Sequence, residues 1–126
     1  MTVVDSDVLI DALRGREPSR TRISEGLKAG SLATTAINAF ELRSGARTPK
    51  QDEEIEDLLA ALSILAFDED ASRAAATARR QLEGRGEPIG MGDYLIAGVC
   101  FSRALPLLTR NRHHFDRIPG LLLVEL

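Results

Sequence analysis

Three acidic residues stand in surroundings that either penalise a free charge or aim it. Asp5 follows directly on the β-prone run Thr2-Val3-Val4. Glu41 lies one helical turn beyond Ile37 and next to Phe40. On a helix its carboxylate therefore falls at the edge of, or within, an apolar face rather than on the wet side. Asp93 comes after Ile89-Gly90-Met91-Gly92 and opens a strongly apolar stretch. A carboxylate withdrawn from water needs a positive partner. For Glu41 that partner is Arg43 or Arg47 in a salt bridge, or a metal ion shared with other acids. Asp5 and Asp93 each have a plainer alternative, as caps at helix N-termini.

Taken together, the three acids come from segments far apart in the chain and can converge on one edge of a sheet. Thr109 and Asn111 leave a later strand at that edge and add a hydroxyl and an amide as oxygen donors. Ser6, beside Asp5, supports the same corner. Such a set suits Mg²⁺ or Mn²⁺, which prefer oxygen and retain water; the Cys/His spacing of a zinc site is missing. Arg110 and Arg112 flank Asn111 and are placed either to meet phosphates or simply to be solvated in a loop. His113 and His114 are adjacent, so they cannot both face one ion from a helical turn, and they read as surface or substrate-side residues.

The elements that must position these groups follow from periodicity and punctuation. Thr2 to Val4 forms a strand, after which Ser6 caps a helix bearing Val8, Leu9, Ala12 and Leu13 on one face. A polar helix covers Thr21 to Ala29 and ends at Gly30. Ser31 to Thr35 is a second strand, and a helix runs from Ala36 to about Ala46, stopped by Thr48-Pro49. Ile55, Leu58, Leu59 and Leu62 repeat at helical spacing. Ser63 to Phe67 is a buried strand, Asp68 to about Glu83 a helix striped with alanine, and the glycines from 84 to 92 mark a long loop. Asp93 to Arg103 is apolar nearly all round, as a central helix would be. Leu105 to Thr109 and Leu121 to Val124 complete the strands. Strands alternating with helices predict a three-layer α/β/α domain with a central, mostly parallel sheet of four to five strands, spanning residues 1–126 as one unit.

Bulk composition narrows the function classes. The chain has 126 residues with 44% hydrophobic and 28% charged, ordinary for one globular domain. No run approaches the roughly 18 apolar residues of a membrane span, and the first strand begins almost at once, leaving no room for a signal peptide. A cytoplasmic protein is expected. Cys100 is single, in an apolar run, and reads as a buried inert thiol. The formal charge of −3 argues against a general nucleic-acid coat. It leaves room for a nuclease whose acids belong to that count. Only two of the 16 basic residues are lysines, and arginine matches phosphate oxygens well.

Four segments, in order, resemble the PIN-domain ribonucleases, and in particular the VapC-type toxins of bacterial toxin–antitoxin pairs. Val3-Val4-Asp5-Ser6-Asp7-Val8-Leu9-Ile10-Asp11 is similar to the family's opening strand and first acid. Asn38-Ala39-Phe40-Glu41-Leu42-Arg43-Ser44-Gly45 is similar to the segment with the second acid, and Ile89-Gly90-Met91-Gly92-Asp93-Tyr94-Leu95-Ile96-Ala97 to that with the third. Thr109 to Leu121 (TRNRHHFDRIPGL) resembles the closing T-x-N…F…R-x-P-G-L pattern. The resemblance implies that Asp5, Glu41 and Asp93 are the metal-binding catalytic acids of an Mg²⁺- or Mn²⁺-dependent ribonuclease. Single-stranded or loop RNA would be its substrate, a small antitoxin its inhibitor, and a homodimer its assembly. Two departures stand out. Asp7 occupies a position where the family often has Asn, and His114 stands where an acid frequently precedes the closing Phe. Asn111 is then the nearest neutral substitute, and Asp116, beyond Phe115, is not taken for the missing acid.

Two other functions share some of these features. Asp5-Ser6-Asp7 after a strand mimics the nucleophile motif of haloacid-dehalogenase-like phosphatases, which also require a lysine that only Lys28 or Lys50 could supply. A catalytically inactive PIN binding module would keep the fold without the metal.

Overall fold

The structure, a computed structural model, describes residues 1–126. The chain runs β1 (Thr2–Val4), α1 (Ser6–Leu13), α2 (Ser19–Lys28), β2 (Leu32–Thr35), α3 (Ala36–Gly45), α4 (Pro49–Ala60), β3 (Ser63–Leu65), α5 (Glu69–Gly84), α6 (Met91–Ser102), β4 (Leu107–Leu108), α7 (Arg112–Phe115) and β5 (Leu123–Val124). The five strands form one sheet in the order β3-β2-β1-β4-β5, and every pairing is parallel. The α/β/α expectation holds, with the sheet parallel throughout.

Alternation along the strands divides the core. Val4 and Leu108 pack on one face with Val8, Leu9, Ile23, Leu42, Ile55 and Leu59, from α1 to α4. Val3 and Leu107 point the other way, onto Leu82, Tyr94, Ile96, Cys100 and Phe115, from α5 to α7. Successive strand residues face opposite sides, so a strand covered on both faces reads as a continuous apolar run.

On the second face α5 and α6 approach so closely that only glycine fits at position 98. A Cβ there would lie 2.5 Å from the Ala71 carbonyl oxygen and 2.8 Å from the Ala75 Cβ. The obstructing atoms belong to backbone and to a methyl stub, so the helices themselves would have to part. Gly98→Ala is expected to cost about 1–3 kcal/mol, read as a lower urea midpoint; an unchanged midpoint would mean that the two helices separate freely.

Several boundaries differ from those predicted by the sequence. The stretch Ser63 to Phe67 is not a buried strand: β3 stops at Leu65, lies at the sheet edge with one neighbour, and leaves Ile64 exposed. Ser6 is not the cap of α1; Asp5 is, its side chain accepting from the Ser6 amide. Asp93 does not cap α6 either. That helix begins at Met91 with Gly90 as its cap, which puts Asp93 in its first turn. The last two strands shrink to two residues each, and a short helix, α7, fills the segment between them. No helix is long and apolar enough to cross a membrane.

Candidate active site

From β1 the chain moves outward to β2 and β3, then returns to the other side of β1 for β4 and β5. Between β1 and β4 the connections leave in opposite directions, and in open parallel sheets a crevice opens there beyond the carboxyl ends of the strands. Asp5 is the first residue past β1 and Thr109 the first past β4. The Asp5 amide donates to the Leu108 carbonyl at 2.9 Å, which locks the two strand ends together.

Asp5 is buried, and both of its carboxylate oxygens accept hydrogen bonds. Its Oδ1 accepts from the Ser6 amide at 2.8 Å and from Asn38 Nδ2 at 2.9 Å, and its Oδ2 accepts from the Thr109 hydroxyl at 2.7 Å. None of the ion pairs in the molecule reaches it. Burial, and then the nearby Asp7 carboxylate, push its pKa up from 3.8 to about 6; hydrogen bonds from Thr109 and Ser6 act the other way and are outweighed.

Glu41 on α3 is held by the Ser6 hydroxyl, which donates to its Oε1 at 2.7 Å. Of the two placements the spacing allowed, at the edge of an apolar face or within it, the structure shows the edge: the side chain is exposed at the mouth of the cleft. The salt-bridge alternative fails, because Arg43 makes a two-pronged contact with Glu56 on α4, at 2.9 Å through each nitrogen, and no ion pair joins Arg47 to Glu41. Asp93, half-buried on α6, has its Oδ2 3.2 Å from His114 Nδ1 and 3.4 Å from Asn111 Nδ2.

These groups line one open cleft of about 480 Å³, bounded by Asp5, Ser6, Asp7, Ile10, Glu41, Asp93, Arg110 and Asn111. Four carboxylates thus face a common space. No three of the chain's Asp, Glu, His or Cys side chains are already gathered as a closed metal cage. The donors nevertheless suit a magnesium-type ion, which keeps several waters and takes one or two carboxylates. Asp5, buried and charged without any cation, is the group such an ion would neutralise.

The remaining predicted residues fall into two groups. Thr109 stands behind Asp5, buried, and Asn111 reaches Asp93. Both arginines make contacts within the fold, and Arg110 also lines the cleft. Arg110 pairs with Asp11 on α1, and Arg112 donates to the Val124 carbonyl of β5 at 3.1 Å. Cys100 is inert as expected, with burial pushing its thiol up to about 12.

Three contributors have contacts in the site that the sequence did not assign them. Asn38, fully buried, donates from Nδ2 to Asp5 and to Ser6, while its Oδ1 accepts from the Thr35 hydroxyl at 2.7 Å. The signal was Thr35-x-x-Asn38 at the start of a helix, a capping-box spacing one turn before Glu41. Asp7 is the second: it faces the cleft and accepts from the Val8 and Arg110 amides, and burial raises its pKa. His114 is the third. Expected at the surface or on the substrate side, it contacts Asp93.

Neither Lys28 nor Lys50 lines the cleft, so the phosphatase alternative lacks its lysine. The PIN domain family model matches residues 2–121. The chain is 37% identical over 115 residues to ribonuclease VapC10 of Mycobacterium tuberculosis, covering 91% of this chain and 86% of the relative. It is 28% identical to the tRNA(fMet)-specific endonuclease VapC of Shigella flexneri, covering 94% and 92%. The crystal structure of DNA-bound VapBC from Salmonella typhimurium superposes with a TM-score of 0.85 at 27% identity, over 99% of this chain and 98% of that one. With sheet order, acidic cleft and sequence in agreement over nearly its whole length, the chain belongs to the PIN-domain family, among the VapC ribonucleases.

Proposed function

We propose that this protein hydrolyses RNA phosphodiester bonds with the help of Mg²⁺ or Mn²⁺ held by Asp5, Asp93 and Glu41, and that it is the toxin of a toxin–antitoxin pair. The observation that carries this reading is the buried Asp5 carboxylate, which lacks any cation and shares an open cleft with three further acids. Support for RNA comes from the relatives, named a ribonuclease and a tRNA-specific endonuclease. Support for a small antitoxin partner comes from the VapBC complexes among the structural neighbours. A homodimer belongs to the same reading, as does a single domain over residues 1–126.

A divalent ion bound here supplies positive charge against that developing on the phosphoryl group, and acidity for water. The chain's own residues do the rest. Thr109, Asn38 and the Ser6 amide fix both oxygens of Asp5 at the wall of the cleft. Ser6 holds Glu41 at the mouth, where the exposed carboxylate can orient an attacking water and accept its proton. The carboxylates also repel a phosphodiester until their charge is neutralised, which ties substrate entry to cation binding.

The test is cleavage of a structured RNA by purified protein with Mg²⁺ or Mn²⁺, with EDTA, and with Asp93→Asn. Cleavage should need the cation, and the substitution should lower the rate by at least about 10²-fold; a phosphomonoester should be left intact. EDTA-resistant cleavage, or full activity of Asp93→Asn, contradicts the proposal. An inactive binding module would show no cleavage and no saturable Mn²⁺ binding in calorimetry.

A further inference from the structure

His114 stands on the one-turn helix α7, one residue before the fully buried Phe115 that anchors this segment to the core. Its Nδ1 lies 3.2 Å from Asp93 Oδ2 and 2.7 Å from the Asn111 side-chain amide. An unprotonated Nδ1 would direct a lone pair at a carboxylate. A protonated Nδ1 makes a charge-assisted hydrogen bond there instead. Turning the Asn111 amide about its Cβ–Cγ bond then offers Oδ1 to the same proton. Amide orientation and tautomer are set by such networks.

We propose that His114 is a positioning residue: through Nδ1–H it holds Asp93 in the one orientation that offers the other carboxylate oxygen, Oδ1, to a divalent cation. Resting on the reading of the cleft as a cation site, the inference adds that the cation is held at Asp93 through His114. Asp5 has its counterpart in Thr109, Ser6 and Asn38, and Glu41 in Ser6. With the Asn111 amide so turned, His114 is the side chain that donates to Asp93. Partners of this kind, which orient a ligand without touching the metal, govern affinity as much as the ligands themselves do.

The experiment is Mn²⁺ titration by calorimetry and by electron paramagnetic resonance, without RNA, on the wild type, His114→Ala, His114→Asn and Asp93→Asn. His114→Ala should weaken Mn²⁺ binding by about 10- to 100-fold at an unchanged melting temperature. His114→Asn puts a side-chain N–H close to the place of Nδ1 and should recover most of that loss, which restored packing alone would not do, since Asn is much smaller. In cleavage assays the His114→Ala defect should shrink as Mn²⁺ is raised, with the loss in half-saturating metal concentration and not in the rate at saturation. Nitrogen NMR of the wild-type His114 ring should show a protonated Nδ1. Wild-type Mn²⁺ affinity in His114→Ala, beside lost affinity in Asp93→Asn, overturns this inference and leaves the cation site standing. Wild-type affinity in both variants overturns the site itself.

Discussion

Asp5→Asn is expected to abolish metal-dependent RNA cleavage and, at neutral pH without divalent cations, to make the protein more stable than the wild type. The two effects have one cause. The Asp5 carboxylate is buried, uncompensated and crowded by Asp7, and its pKa is raised from 3.8 to about 6. A raised folded-state value means that the folded protein holds this proton more tightly than the unfolded chain. Stability from this group is therefore fully present below about pH 4, declines as pH rises through about 6, and is lost above it. A rise from 3.8 to about 6 corresponds to about 3 kcal/mol. The substitution removes that penalty without disturbing shape. The new amide oxygen can keep the bonds from the Ser6 amide and Asn38, and its nitrogen can donate to the Thr109 hydroxyl. Urea midpoints in EDTA should favour Asp5→Asn at pH 8 and converge with the wild type near pH 4. Added Mn²⁺ should stabilise the wild type and leave the variant unmoved. A variant less stable than the wild type at pH 8, or one that still cuts RNA, would remove Asp5 from its assigned place.

Phe115→Ala should produce the largest loss of stability of any single side-chain truncation near the cleft. Phe115 is the largest fully buried side chain and packs on the face formed by α5 and α6. Truncating such a residue costs about 3–5 kcal/mol, transfer and cavity terms together. That is a large share of the 5–15 kcal/mol by which a domain is usually stable. It also ties α7 to the core, so loss of the ring should loosen Asn111 and His114 and weaken Mn²⁺ binding in whatever protein remains folded. Phe101, half-exposed on the same side, is the control: its truncation should shift the urea midpoint far less. Equal midpoints for the two variants would show that α7 is held by something other than this side chain.

Much of the site was legible in the residues. Asp5 after an apolar run, Glu41 beside an aromatic on a helix and Asp93 at the head of an apolar helix all reach the same cleft. The resemblance to PIN domains rested on four ordered segments, and the family match covers them. Less legible was the burial of each acid. Glu41 was expected within or beside the apolar face, yet it is exposed, because α3 turns Asn38 and Leu42 inward and leaves position 41 at the rim. The arginines beside Asn111, placed by the sequence either for phosphate or for solvent, are also held by Asp11 and by the β5 backbone. No local pattern announces these partners: Asp11 lies 99 residues from Arg110, and Val124 contributes a backbone carbonyl 12 residues from Arg112.

By itself the amino-acid order determined the kind of fold and the kind of chemistry. Alternating strand and helix periods allow little but a covered parallel sheet, and oxygen donors without Cys/His spacing point to a hard divalent ion. Only the tertiary structure decided which groups hold which. It put Asn38 at the hub of Asp5 and Ser6, drew Asp7 into the cleft, and set His114 against Asp93. The physical reason is that periodicity specifies a face, accurate to a turn of helix or a pleat of strand. A hydrogen bond is made or lost over a few tenths of an ångström, a distance that only the packed core sets.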